Sequence, residues 1–106
     1  MAATISFKAN YMDGIIANGG DIFISDEEIT FKAHALNFDT SSHTMPIKDI
    51  IGYKKKLLTF MTIFFANGRK WDLSVWKKDQ IIAELESRRR TYYKSRGEEM
   101  PPLRIR

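Results

Sequence analysis

The chain contains no cysteine, only three prolines and six glycines, and two histidines in 106 residues. The lack of cysteine excludes a disulfide framework, a thiolate nucleophile and the thiolate-rich class of zinc site. It suits a reducing compartment. No apolar run approaches the ~20 residues that a membrane helix requires. Residues 1–10 lack the cationic start and apolar stretch of a secretion signal. A cytoplasmic protein is expected, at most peripheral to a membrane.

The scarcity of histidine narrows the chemistry further. Both imidazoles fall in FKAHALNFDTSSHTMPIKDI, residues 31–50, at His34 and His43. A zinc site needs three or four ligands converging on one point, and these histidines with scattered carboxylates form no local motif for one. If the chain folds back through DTSS, residues 39–42, His43 stands opposite Phe38 and His34 opposite Ile47. That register separates the two rings along the ladder. Ser41 and Ser42 precede His43, but neighbours on a strand face opposite ways, and no elbow motif frames a nucleophile with its base. His34 is expected to bond backbone at a strand bend, and His43 to be exposed. Gly19-Gly20 leads into another strand rather than a helix N-terminus, so no phosphate loop is built there. No catalytic residue, metal ligand, cofactor or small-molecule substrate is expected.

What is present suits one small globular domain. Apolar residues make up 43% of the chain, an ordinary share, and its length suffices for one modest core. The net charge of +4 is unevenly placed. Residues 1–53 hold three lysines against seven carboxylates, whereas residues 54–106 hold fourteen Lys or Arg against six. Such asymmetry suits an anionic partner. It equally suits a basic helix and solvated lysines that fall late in the chain.

Short strands come first and one helix last. Gly19-Gly20 lies between the apolar runs at residues 15–17 and 22–24 and reads as a hairpin turn. EITFKA points Ile29, Phe31 and Ala33 to one face, the period of a half-buried strand. Pro46 confines HTMPI to an edge. Asn67-Gly68 is a strong hairpin signal. It joins an arm that is apolar on nearly both faces to one in which Trp71, Leu73 and Val75 alternate with polar residues. From about Trp76 the period lengthens, with Ile81, Ile82, Leu85 and Tyr92 on one helical stripe. Asp79 early and Arg88, Arg89, Arg90 and Lys94 late suit the helix dipole, and Gly97 with Pro101-Pro102 ends the helix. The apolar period fades after Leu85, so the last two turns are expected to project. The core is expected from Ile22, Ile24, Ile29, Phe31, Ile50, Phe60, Ile63, Trp71, Leu73, Ile81 and Leu85.

GGDIFISDEEITFKAHALNF, then MPIKDIIGYKK, an apolar strand, ANGRKWDLSV and a terminal helix together resemble the GRAM domain in its stand-alone bacterial type, a relative of the pleckstrin-homology fold. The family pattern falls on Gly19-Gly20, Ser25-Asp26, Ile29 and Phe31, His34 and Asn37, Pro46-Ile47-Lys48-Asp49-Ile50 and Asn67-Gly68-Arg69-Lys70, within about residues 10–90. The resemblance implies a mainly β fold: a pleckstrin-homology/GRAM-like barrel of about seven antiparallel strands capped by a C-terminal α-helix. A single domain is expected over residues 1–96, and GEEMPPLRIR reads as a flexible tail at 97–106. The resemblance also implies a non-enzymatic binding or adaptor module for proteins or lipids. Inositol-phosphate sites of the wider superfamily use Lys and Arg beside the first hairpin turn. The turn read here, residues 17–21, has Asp21 and no base, so specific phosphoinositide capture is not expected there.

Two surfaces compete for the contact. The projecting helix end, with Arg88, Arg89, Arg90, Tyr92 and Tyr93, is expected to meet a protein partner or a second copy. Reversing its three arginines to Glu should then abolish association and leave the melting temperature unchanged. The alternative is an anionic membrane lipid surface reached by Lys54, Lys55 and Lys56 with the basic helix. Nucleic acid is not the expected partner.

Overall fold

A computed structural model describes residues 3–34 and 42–105. The strands are β1 (Ile5–Asp13), β2 (Ile16–Ile24), β3 (Glu28–Ala33), β4 (Ser42–Pro46), β5 (Ile50–Lys55), β6 (Phe60–Phe65) and β7 (Lys70–Ser74), and the helix is α1 (Lys78–Ser95). All neighbouring strands are antiparallel, in the order β4-β3-β2-β1-β7-β6-β5. The strand number, the pairing and the terminal helix agree with the expected class. The closed barrel does not form, because β4 and β5 are the two unpaired ends of one sheet. Twist nevertheless curls the sheet far around: the rings of His43 on β4 and Trp71 on β7 lie 6.4 Å apart, although three strands stand between them in the order.

The core fills the concave side. Ile22 and Ile24 on β2, Ile29, Phe31 and Ala33 on β3, and Met61, Ile63 and Phe65 on β6 alternate inward and are buried. Ile81 and Leu85 of α1 join the same buried cluster. Each of these side chains larger than alanine gains about 1.5–3 kcal/mol by leaving water. Phe60 alone of the expected core is not buried, at 38% exposure. The residues that β6 turns inward are Met61, Ile63 and Phe65, one step out of phase with it.

Two local readings change. The first hairpin turn is at Gly14-Ile15, not at Gly19-Gly20: β1 and β2 pair from Ile5↔Ile24 to Asp13↔Ile16, and Gly14 sits at φ +62. Gly20 lies inside β2 because β3 passes too close for a side chain. A Cβ there would stand 2.2 Å from the Lys32 carbonyl oxygen. The turn that does form carries Asp13 and no base of its own, but Lys56 lines the cleft beside its Gly14. The β3–β4 register also differs, with Phe31↔His43 and Ile29↔Met45 paired. Asn37, Phe38 and most of the DTSS fold-back lie outside the described residues. Asn67 and Gly68, at φ +67 and +75, connect β6 to β7 as their sequence demands.

Within the segment expected to be a flexible tail, Arg104 and Ile105 lie against β5. The amides of Arg104 and Ile105 both donate to the Ile51 carbonyl, at 2.8 and 3.1 Å, and Ile105 bridges Gly52 in parallel.

Candidate functional site

β5 ends in Lys54 and Lys55; these and the following Lys56 are all exposed. The chain then reverses. The Lys56 amide donates to the Phe60 carbonyl at 2.9 Å, and the Phe60 amide to that of Leu57 at 3.2 Å. Leu58 sits at φ +59, a left-handed conformation that costs a leucine about 1–2 kcal/mol. The link from β7 to α1 runs beside this tip. The Val75 amide donates to the Thr59 carbonyl at 2.8 Å, and Lys78 Nζ to the Lys56 carbonyl at 2.6 Å. A cleft of about 420 Å³, lined partly by Met12, Gly14, Lys56, Leu57 and Phe60, connects the tip to the β1–β2 turn. Three neighbouring segments therefore raise large apolar side chains into solvent: Ile15 is 98% exposed, Leu57 86%, Leu58 84% and Trp76 88%.

Exposed lysines flank these apolar groups along the chain. Lys55 pairs with Asp79 at 3.0 Å and Lys56 with Asp72 at 3.7 Å. Exposed pairs of this kind contribute about 0–1 kcal/mol, so an outside anion can replace them. Lys77 is exposed as well. The sequence reading named Lys54, Lys55 and Lys56 but missed Leu57, Leu58 and Trp76. The available signal was their position: two leucines within a turn and a tryptophan at a strand–helix link, where burial is least available.

Two of the three arginines expected to project from α1 do not. Arg88 and Arg89 are buried. Arg88 Nη1 donates to Asp26 at 2.9 Å, its Nε to Glu84 at 2.7 Å, and its Nη2 to the Ala3 carbonyl. Arg89 Nη1 donates to Glu86 and its Nη2 to the Pro101 carbonyl, both at 2.9 Å. Glu86 also accepts the hydroxyl of buried Tyr53 at 2.7 Å. Burial first, then this hydrogen bond and the Glu86 charge, hold the Tyr53 hydroxyl far above the ordinary tyrosine range. Charge pairs thus fix the end of α1 where its apolar stripe stops. Arg90 is exposed. The Arg96 guanidinium covers the Tyr92 ring at 3.6 Å, and the Tyr93 hydroxyl is 3.4 Å from the Lys48 carbonyl. The expected helix surface shrinks to Arg90 and parts of two half-buried tyrosines.

No protein-family model and no curated protein matches the chain. Solved structures do. The solution structure of the N-terminal PH (pleckstrin-homology) domain of human ARAP2 is similar with a TM-score of 0.63, at 8% identity, over 87% of this chain and 81% of that one. The chain has a pleckstrin-homology-like fold. The crystal structure of the C-terminal domain of an unknown protein from Leishmania infantum is also similar, with a TM-score of 0.67 at 16% identity over 79% of this chain and 80% of that one. Identities this low carry the fold alone.

On this pleckstrin-homology-like sheet the histidines serve different neighbours. His34 Nε2 lies 3.4 Å from Asp21 Oδ2, and its amide donates to the Gly19 carbonyl at 3.0 Å. His43 is half-buried rather than exposed, its ring stacked on Tyr11 at 4.3 Å. Among the described residues no group of three His, Asp or Glu side chains gathers in a metal-binding arrangement. Nor is any described helix long and apolar enough to cross a membrane.

Proposed function

We propose that this chain is a non-enzymatic binding module of GRAM-like type that docks on an anionic membrane surface through its β5–β6 tip. Leu57, Leu58 and Trp76 enter the interface, while Lys54, Lys55, Lys56 and Lys77 meet acidic headgroups. What supports this is the exposure of those apolar side chains beside exposed lysines. Clustered exposed apolar groups mark interaction sites. Tryptophan favours the membrane–water interface, and each lysine near an acidic leaflet adds about 1 kcal/mol. The left-handed backbone at Leu58 is a cost that the fold alone does not require of a leucine. Association through the end of α1 is less well supported, because two of its arginines are engaged internally.

Co-sedimentation with phosphatidylserine-containing and purely zwitterionic vesicles across a salt series tests the proposal. Binding is expected only with the anionic lipid. It should weaken as the Debye length falls from about 10 Å at 0.1 M to about 3 Å at 1 M salt. Replacing Leu57 and Leu58 with Ser should lower vesicle affinity at least about tenfold, since each loses roughly 1.5–3 kcal/mol of potential burial. Undiminished binding by that variant, or equal binding to both vesicle types, defeats the proposal.

A further inference from the structure

β5 is one end of the sheet, so its outer edge presents backbone groups that no sheet strand pairs. The chain's own C-terminal segment occupies that edge. We propose that the β5 edge is a strand-addition site for an extended protein segment presenting apolar, basic and apolar residues in turn, with residues 101–105 as its resident occupant in cis.

Three features shape the slot. Ile51 is the extra residue where the β5–β6 register shifts between Ile50 and Gly52. Such a bulge disrupts the ladder locally, and here the Ile51 carbonyl accepts the amides of Arg104 and Ile105 instead. Gly52 then makes room: a Cβ on it would stand 2.2 Å from the Ile105 carbonyl oxygen and 2.5 Å from the Ile105 Cβ. Only glycine admits a chain so close. Lastly, buried Arg89, held by Glu86, donates to the Pro101 carbonyl at 2.9 Å. The slot thus grips main-chain atoms, as strand-addition sites do. Its side-chain preference is read from the occupant: Leu103 packs against the core, Ile105 is half-buried and Arg104 is exposed.

Among the described residues the hydrogen-bonded grip is thin, which makes the occupant exchangeable. Two amides share one carbonyl, and one guanidinium holds another carbonyl. The segment is joined to α1 through Gly97 at φ +67 and the exposed Glu98 and Glu99. Segments with few contacts open at low free energy. A tethered occupant competes at an effective concentration in roughly the millimolar range. Apparent affinity for an outside segment is therefore reduced by the fraction of time the slot stands open. Loosening the resident must raise it.

The probe is a fluorescent peptide of sequence PPLRIR, this chain's residues 101–106, titrated into full-length protein. The variant Leu103→Asp/Ile105→Asp should bind it at least about tenfold more tightly than the wild type, since its own segment no longer competes. Adding Gly52→Ala to that variant should abolish binding. No binding by the folded double variant, or binding that survives Gly52→Ala, overturns the proposal. If the double variant fails to fold, wild-type hydrogen exchange decides. The Arg104 and Ile105 amides must exchange at least about 100-fold faster than those of β6, and equal protection overturns it. Gly52→Ala leaves the tip leucines and lysines in place, so this result is independent of vesicle binding.

Discussion

Gly19 and Gly20 are adjacent in β2 but face different neighbours, and alanine separates them. At Gly20 the added Cβ meets backbone, the Lys32 carbonyl oxygen at 2.2 Å and the Ala33 Cα at 2.9 Å. Those atoms cannot retreat without parting β2 from β3. At Gly19 the nearest atom is Asn10 Oδ1 at 3.3 Å, the end of a side chain that can turn aside. Gly20→Ala should therefore lower stability by about 2–4 kcal/mol, through overpacking. Gly19→Ala should change it by less than about 1 kcal/mol, helped by a stiffer unfolded chain. Urea midpoints compare the two, and similar losses would refute the assignment. Leu58 offers the converse case. Leu58→Gly relieves about 1–2 kcal/mol of left-handed strain and gives back about 0.4–1 kcal/mol in unfolded-chain entropy. Its melting temperature should hold or rise slightly while vesicle affinity falls. A drop in both would mean that Leu58 serves the fold instead. The Gly-Gly pair was misread because turns and close strand approaches both demand glycine, and sequence alone does not say which is being met.

Among the elements, α1 shows most plainly what periodicity can and cannot reveal. Its first half was legible because Ile81 and Leu85 fall on one stripe and pack inward. Its second half was not, because Arg88 and Arg89 occupy inward positions and pair with Asp26, Glu84 and Glu86, although the buried Arg89 Nε has no partner among the described residues. A pattern of apolar residues does not register a buried arginine. Arg88→Ala leaves Asp26 and Glu84 without their shared cation and should cost about 2–4 kcal/mol. Arg90→Ala, at an exposed position, should stay within about 0.5 kcal/mol. Thermal unfolding checks both, at roughly 4–8 °C per kcal/mol for a domain near this size. Reversing Arg88, Arg89 and Arg90 together should accordingly unfold the protein rather than spare its melting temperature. β3, β6 and β7 were legible from alternation and from the Asn67-Gly68 turn. β1 passed unread although Phe7, Ala9 and Tyr11 alternate inward, since Ala9 gives that stripe little weight. The bed of the tail was invisible, because it depends on a bulge and a glycine about fifty residues upstream in the chain.

Over the whole molecule, the uneven charge is partly resolved by folding. Asp26 and Glu27, from the acidic half, meet Arg88 and Arg96 from the basic half at 2.9 and 3.1 Å. Lys55 and Lys56 of the β5–β6 tip pair with exposed or half-buried Asp79 and Asp72 at 3.0 and 3.7 Å, and that positive charge is what an anionic surface would encounter. A single polar network then ties sheet, helix and tail together: Tyr53 on β5 donates to Glu86, which accepts from Arg89, which donates to Pro101. The raised Tyr53 hydroxyl makes this network testable by pH. Its folded value lies above the unfolded value of 10.0. Below about pH 10 the hydroxyl is protonated in both states, and its contribution to stability is fully present. As pH rises further the unfolded chain ionises first, and stability falls by up to about 1.4 kcal/mol per pH unit. Tyr53→Phe cannot ionise and lacks that loss. At pH 7 the variant should be about 1 kcal/mol less stable than the wild type, having lost one buried hydrogen bond. The gap should narrow above about pH 10 and close near pH 11. Urea midpoints for both proteins through that range measure it, and a gap that stays constant would show that the Tyr53 hydroxyl is not held neutral against Glu86.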